Sequence, residues 1–338
     1  MNKMMEFFKK ETVFSISLIL AIISCFFVLP SANYLNYINI ETIILLFAVM
    51  LIVEILKNLS VFEILAHKLS NKIRNTHELV LFLVFACFFT SIFLTNDVSL
   101  IVFIPFTLLT LKKLNRTDLI ILTVTLETIA ANVGCMILPI GAPHNIVLYT
   151  TSHIPFESFF LILMPYIIVS VLFLIVLSFL TPKDSVSLET PIKKEINKKD
   201  FFKRVFSGID YYLLLTFIAL FILIGNLENI PLLSRLFSKW ILGNEVIFTI
   251  LSSQIISNVP ASILLTRFST NYKAIIIGVN IGGFGTLIAS MANLISYKIL
   301  IKEYREFKLK YLLVFSILNL ILLACLFGLY IIKLNKLL

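Results

Sequence analysis

Charge is scarce in this chain. Only 14% of its 338 residues are Asp, Glu, Lys or Arg, where soluble domains carry roughly 25%. With 59% hydrophobic residues, one soluble core of this length could not hide the apolar surface. The four cysteines (Cys25, Cys87, Cys135, Cys325) lie singly in apolar stretches, without the spacing of a disulfide framework or a zinc site, and read as small hydrophobes. The sequence has no His-Glu-x-x-His helix, no Gly-x-Ser-x-Gly turn and no phosphate-binding P-loop. An intramembrane hydrolase and an ATP-driven pump therefore lack their chemistry, and the expectation is a non-enzyme without an organic cofactor.

What is abundant is long apolar runs. Thr12–Leu29, Ile40–Leu56, Ser158–Leu180, Ile209–Gly225 and Tyr311–Ile332 approach the roughly 20 residues that cross a bilayer. Thr12–Leu29 follows Lys3, Lys9 and Lys10 but has no clear small-residue cleavage site, so it reads as a membrane helix and not a signal peptide. The net charge of +9 does not imply nucleic acid, because Lys and Arg sit in loops between apolar segments. The basic loop Thr181–Ser207 carries seven of them against four acids and reads as a cytoplasmic linker.

Two segments superimpose. Asn132–Tyr149 (NVGCMILPIGAPHNIVLY) and Asn280–Tyr297 (NIGGFGTLIASMANLISY) each begin with Asn, place Gly two residues later and Asn thirteen residues on, and end in Tyr. Two further pairs follow in matching order: Asn58–Ser70 with Asn226–Ser238, and TNDVSLIVFIP (Thr95–Pro105) with SNVPASILL (Ser257–Leu265). Three blocks in one order make an internal repeat. With the N-terminus inside, threading the spans leaves 22 of the 28 Lys and Arg on the cytoplasmic side, and the two repeats then run in opposite directions. The expected fold is an all-α polytopic membrane protein of two inverted-topology repeats, each with a re-entrant helical hairpin and a discontinuous transmembrane helix. Its expected parts are an N-terminal helix (1–39), repeat 1 (40–180; hairpin tip 95–97, broken helix 118–149), the linker (181–207), and repeat 2 (208–338; hairpin tip 257–260, broken helix 274–299).

The breaks carry the expected chemistry. Backbone freed at membrane depth survives only beside protein or a water-filled cavity. Helix N-termini there offer N–H groups to an anion, and unwound carbonyls can hold Na⁺. Thr95, Asn96 and Asp97 also read as N-caps for a helix from Val98, so simple capping is the competing explanation. Pro260 suits the first turn after the second break. Gly134, Gly282, Gly283 and Gly285 permit unwinding or close approach, Pro139 and Pro143 interrupt helical bonding, and Asn132, Asn145, Asn280 and Asn293 supply donors and acceptors. Asp97 and Glu127 are the acids expected deepest, and intramembrane acids default to functional roles. Glu127 is expected to bond Thr123 or Thr128. His144 is a candidate pH-responsive group, while His67 and His77 fall at interfaces.

At these motifs the chain resembles the ion transporter superfamily of arsenite permeases, NhaD-type sodium–proton antiporters, citrate transporters and divalent-anion:sodium symporters. The likeness runs from about Ile40 onward and is nearest to short citrate-transporter-like anion permeases. It implies homodimers in the plasma membrane, with a small carboxylate or oxyanion held at the hairpin tips and Na⁺ or H⁺ as coupling ion. Carried over, Thr95, Asn96, Ser257, Asn258, Pro260, Asn145 and Asn293 are the substrate-binding candidates. Asp97, Asn132, Gly134, Asn280, Gly282 and Thr286 are the coupling-ion candidates. The third tip position departs from the symporter pattern, being Asp97 in one half and Val259 in the other. Arsenite-permease-like members share the Asn-Asp tip. A sodium–proton antiporter using Asp97 is the alternative function.

Overall fold

A computed structural model describes residues 12–31, 34–59, 75–185 and 201–335. The basic N-terminal start, the rest of the first amphipathic block with His67, and linker residues 186–200 lie outside the described residues. Among those described, the regular elements are helices, apart from one β-bridge between Asn75 and Ser185.

The first run comprises α1 (Thr12–Cys25), α2 (Ile40–Asn58), α3 (Thr76–Phe93), α4 (Asn96–Lys113), α5 (Ile120–Gly134), α6 (Pro143–Ser152) and α7 (Phe156–Phe179). After α8 (Phe201–Gly208) come α9 (Tyr211–Glu228), α10 (Pro231–Ile241), α11 (Glu245–Ile256), α12 (Asn258–Phe268), α13 (Tyr272–Gly282), α14 (Met291–Glu303) and α15 (Lys308–Asn335). From α2 and from α9 the elements follow in the same order, save that the stretch matching α10 lies outside the described residues. Even the short 3₁₀ turns in the middle of the Asn-Gly segments, Pro139–Gly141 and Leu287–Ala289, stand at matching positions.

Among the described residues, five helical stretches are long and apolar enough to cross a bilayer: Thr76–Phe93, Thr117–Gly134, Phe156–Phe179, Phe201–Glu228 and Arg305–Asn335. The protein is a polytopic membrane protein. Leu161, Ile168, Leu172 and Val176 of α7 and Leu313, Ile317 and Leu320 of α15 are exposed, forming apolar stripes that suit lipid. The α5 span is instead 83% buried, against 28% for α7 and 22% for α15, so α5 is central. Its threonines hydrogen-bond within the helix, as in Thr125 Oγ1 to the Ile121 carbonyl at 2.7 Å and Thr128 Oγ1 to Val124 at 2.7 Å, which removes the cost of hydroxyls in an apolar setting.

Caps start several helices where the sequence changes character. Asn75 accepts from the Glu78 N–H at 2.9 Å, Asp210 from Leu213 at 2.9 Å and Asn271 from Ala274 at 3.3 Å. Each satisfies an N–H that the first helical turn leaves free.

Anchors fix the two hairpin bases. Arg116, after α4, pairs with Asp118 and with Asp184 beyond α7, and the Thr76 N–H donates to the Asp184 carbonyl at 2.9 Å. The base of the α3–α4 hairpin therefore sits with the start of the linker. Arg267, at the end of α12, donates to the Tyr37 carbonyl at 2.6 Å and approaches Glu228 at 3.6 Å. The base of the α11–α12 hairpin sits instead with the α1–α2 connection and the end of α9.

Candidate functional site

Each hairpin breaks abruptly at its tip. The α3 helix ends at Leu94 in extended conformation, and α4 starts at Asn96 after an extended Thr95. Thr95 makes no side-chain cap bond, while Asn96 Oδ1 accepts from the Asp97 N–H at 3.1 Å. In the second hairpin Ser257 alone separates α11 from α12, at φ 73° and ψ 156°. That region is close to glycine-only and costs a serine on the order of 1–3 kcal/mol. Pro260 lies in the first turn of α12, where its missing N–H is harmless.

The Asn-Gly segments also break as the duplication leads one to expect. The first is α5, a 3₁₀ turn and α6; the second is α13, a 3₁₀ turn and α14. Both half-helices after the break begin from an extended residue, Ala142 (φ −153°, ψ 146°) and Ser290 (φ −141°, ψ 144°). Gly134 and Gly282 lie hard against the hairpin arms. A Cβ at Gly134 would strike Ser91 Oγ and the Phe88 carbonyl, and one at Gly282 would come within 2.8 Å of Ser253 Oγ. Packing is thus part of what these glycines do.

The four asparagines join the two segments crosswise. Asn132 Nδ2 donates to Asn293 Oδ1 at 2.8 Å. Asn280 Nδ2 donates to Asn145 Oδ1 at 2.8 Å, and Asn145 Nδ2 returns to Asn280 Oδ1 at 3.2 Å. The first Asn of each copy therefore bonds the second Asn of the other. Each second Asn also donates to the carbonyl ten residues before it, Asn145 to Cys135 at 3.0 Å and Asn293 to Gly283 at 3.1 Å. Those carbonyls stand at matching positions beyond the ends of α5 and α13.

The first tip joins this network, because Asn96 Nδ2 donates to Asn132 Oδ1 at 2.9 Å. Ser290 Oγ reaches the same oxygen at 3.3 Å, and His144 Nε2 lies 3.4 Å from Asn280 Oδ1. These amides are 4% exposed or less, so their bonds are made away from water and losing one is costly.

Two cavities reach the tips. One of about 390 Å³ is lined by Thr95 and Asp97 of the first tip, by Glu54 and by Asp210, with no Lys or Arg among the described residues on its wall. Asp97 Oδ1 is buried there with no hydrogen-bond partner. The other, of about 610 Å³, is mostly apolar and touches Ser257, Val259 and Pro260 of the second tip, with Lys298 at its margin. Asp210, Leu213 and Met291 border both. Among the described residues, no three His, Cys, Asp or Glu side chains gather closely enough to hold a metal ion.

Other expected positions resolve differently. Asn258 is 2% exposed, and among the described residues its side chain makes no amide bond across the halves; Ser257 Oγ donates to Asn258 Oδ1 at 3.4 Å. Thr286 turns to Gln254, its N–H donating to Gln254 Oε1 at 2.9 Å. Glu127 bonds neither Thr123 nor Thr128, which donate to the Leu119 and Val124 carbonyls. Its partner is Thr107 of α4, because a hydroxyl on a neighbouring helix faces it while both α5 threonines bond backward. His77 packs edge-on against Phe179.

Sequence reasoning did not single out Gln254, Ser290, Glu54, Asp210 or Thr107. Gln254 Nε2 donates to the carbonyls of Gly282 and Phe284 at 2.8 and 2.9 Å, and so binds the second break to α11. The visible signal was a long amide in an otherwise apolar arm.

Broken helices joined through buried amides beneath two hairpin tips, within a polytopic bundle, define a membrane transport protein. The chain belongs to the citrate transporter family, which matches residues 4–273. It is 34% identical to an uncharacterized transporter of Methanocaldococcus jannaschii, over 77% of this chain and 80% of that protein. It is 29% identical to inner membrane protein YbiR of Escherichia coli, over 76% of this chain and 79% of the relative.

Proposed function

We propose that this chain is a secondary active transporter that moves a small inorganic or organic anion, a carboxylate or oxyanion, coupled to Na⁺ or H⁺ by alternating access. The observation that carries this reading is the crossed amide network. Two unwound segments are tied to each other at Asn132–Asn293 and Asn145–Asn280, and one hairpin tip enters the network through Asn96. Such a core can present free helix N-termini to an anion and backbone carbonyls to a cation.

The opposite anchoring of the hairpin bases, Arg116 with Asp184 and Arg267 with Tyr37, supports inverted repeats. The α11 and α12 arms, of 12 and 11 residues, extend only about 17 Å at 1.5 Å per residue. That supports a re-entrant second hairpin. The N-terminus and the 181–207 loop belong on the cytoplasmic side in this reading, and the peripheral spans form the scaffold and a homodimer contact in the plasma membrane.

The acid-lined cavity at the first tip favours a second reading, a Na⁺/H⁺ antiporter without an organic substrate, because Glu54, Asp97 and Asp210 repel an anion. Thermal stability of the purified protein separates the two when measured against a panel of anions in Na⁺ or choline. A ligand at about 100 times its Kd stabilises a fold by roughly 2.7 kcal/mol. Stabilisation by one anion, lost in Ser257→Ala/Asn258→Ala, fits the anion transporter. Silence of every anion beside a response to Na⁺ or pH selects the antiporter.

A further inference from the structure

The connection between α1 and α2 holds elements of both halves, with Tyr37 at its centre. The Tyr37 ring packs against Gly225 of α9, where a Cβ would come within 2.4 Å of Tyr37 Cγ, and its hydroxyl accepts from Asn229 Nδ2 at 3.1 Å. Beside it, Asn226 Nδ2 donates to Tyr34 Oη at 3.0 Å and to Ser24 Oγ at 2.9 Å. The connection is thereby fastened to the end of α9. Its other contacts are with helices that begin at a tip or a break. The Tyr37 carbonyl accepts from Arg267 Nη2 at 2.6 Å, and Arg267 lies in the last turn of α12, which starts at the second tip. At the start of α2, Thr42 Oγ1 meets Thr150 Oγ1 at 2.6 Å, on the α6 helix that follows the first break. Thr150 Oγ1 donates to the Ile146 carbonyl at 2.9 Å, so the proton between the two hydroxyls is Thr42's.

Followed away from these contacts, the same helices part. Met50, Val53 and Glu54 of α2 line the 390 Å³ cavity at the first tip together with Pro143 and Ile146 of α6. Thr42 and Glu54 are roughly 18 Å apart along α2 at 1.5 Å per residue. The α9 helix is divided in the same way: Asn226 and Glu228 at its end belong to the contacts around Tyr37 and Arg267, while Asp210 and Leu213 at its start line the cavity. That start follows α8 and the linker directly. The space at the first tip therefore lies toward the linker ends of α2 and α9, and polar contacts close their opposite ends.

These contacts are built to open. Thr150 keeps its bond to the Ile146 carbonyl when Thr42 leaves. Arg267 has one bond to a carbonyl and a partner carboxylate at 3.6 Å, and its side chain is partly exposed, so water can take over both. Arg116 at the base of the first hairpin is held more firmly. It bonds both oxygens of Asp118, at 3.0 and 2.9 Å, as well as Asp184, a forked geometry that a single carbonyl contact lacks.

We propose that Arg267–Tyr37 and Thr42–Thr150 form a releasable clasp, that the structure is the state open toward the linker side, and that Arg267 sets the balance between it and a state open on the opposite side. The clasp presupposes the alternating-access reading above and deepens it by naming what holds one side shut. Arg267 is a positioning residue: it lines neither cavity and acts through the α1–α2 connection.

The test reads access from each face of the membrane. In the full-length protein carrying Cys25→Ala, Cys87→Ala, Cys135→Ala and Cys325→Ala, Val98→Cys places one thiol on the cavity wall beside the first tip. A parallel Lys183→Cys marks the linker face. Right-side-out and inside-out vesicles are treated with a membrane-impermeant maleimide. The parent is expected to label quickly from the linker face and slowly from the other. Arg267→Ala is expected to raise the opposite-face rate about tenfold, the shift that loss of one charge-assisted hydrogen bond brings, and to lower the linker-face rate. Arg267→Lys, which can still donate to the Tyr37 carbonyl, is expected to stay near the parent. Thr42→Val opens the other half of the clasp and carries the test should Arg267→Ala not fold.

Rates that move in opposite directions on the two faces are the signature, since a merely loosened fold raises both. Both rates rising together, both unchanged in Arg267→Ala and Thr42→Val, or a parent labelled mainly from the face away from the linker would overturn the clasp and leave alternating access standing. A Val98→Cys thiol reached from one face only, in the parent and every variant, would instead remove the alternating-access reading.

Discussion

Asn132 and Asn293 are separated by 161 residues of chain, and their side chains meet at 2.8 Å. Asn132 Oδ1 also accepts from Asn96 and from Ser290, so one amide links the first hairpin tip to both broken segments. Asn132→Ala leaves three buried polar partners short of a bond, at a cost of about 3 kcal/mol. A thermal or denaturant melt in detergent measures it. In a double-mutant cycle with Asn293→Ala the two losses are expected to fall short of additivity by roughly 1 kcal/mol or more. Strict additivity would show that the pair contributes nothing as a pair.

Gly134 and Gly282 occupy matching places but meet different obstacles. Gly134→Ala drives a methyl into the Phe88 backbone carbonyl as well as Ser91, whereas the nearest atoms to a Cβ at Gly282 are the side-chain atoms of Ser253. Both substitutions are expected to destabilise by about 1–3 kcal/mol. Ser253→Gly should relieve part of the Gly282→Ala penalty, and Ser91→Gly should relieve little of the Gly134→Ala penalty. Equal rescue on both sides would contradict this packing.

Asp97 and Glu127 are both deep acids, but their surroundings divide their roles. Asp97 lines a cavity and keeps an unpartnered oxygen. Glu127 is 0% exposed, borders neither cavity and accepts from Thr107. Asp97→Asn is expected to abolish coupling in proteoliposome uptake, and Glu127→Gln to retain it, since a glutamine oxygen can still accept from Thr107. Full coupled uptake by Asp97→Asn defeats the assignment.

Ser257 holds a backbone conformation suited to glycine. Ser257→Gly is expected to raise stability by about 1 kcal/mol while weakening any anion-dependent stabilisation that uses the hydroxyl. A variant less stable than the wild type in ligand-free buffer would show that the hydroxyl, and not the backbone, governs this tip.

The sequence made the duplication legible because Asn and Gly are rare punctuation in apolar segments, and the regular spacing of Asn132 and Asn145 survives in Asn280 and Asn293. Spacing within a copy says nothing about which copy an amide faces, so the crossed pairing needed three dimensions. Thr107 as the partner of Glu127 was hidden for the same reason: it comes from the helix alongside. Gln254 was hidden likewise: a lone amide in an apolar arm does not show that it meets the carbonyls of Gly282 and Phe284. Thr95 looked like a cap because residue type reports what a side chain can do, and only the backbone reports whether it does it.

The crossed asparagines also bear on how the chain is made. Synthesis at roughly 5–20 residues per second separates Asn132 from Asn293 by about 10–30 s, during which Asn132 and Asn145 have no second-half amides to bond. Until the second half arrives, those amides need water or other polar groups in place of their final partners. Expressed alone, residues 1–180 should be retained and degraded, and supplying residues 181–338 as a separate chain should rescue them.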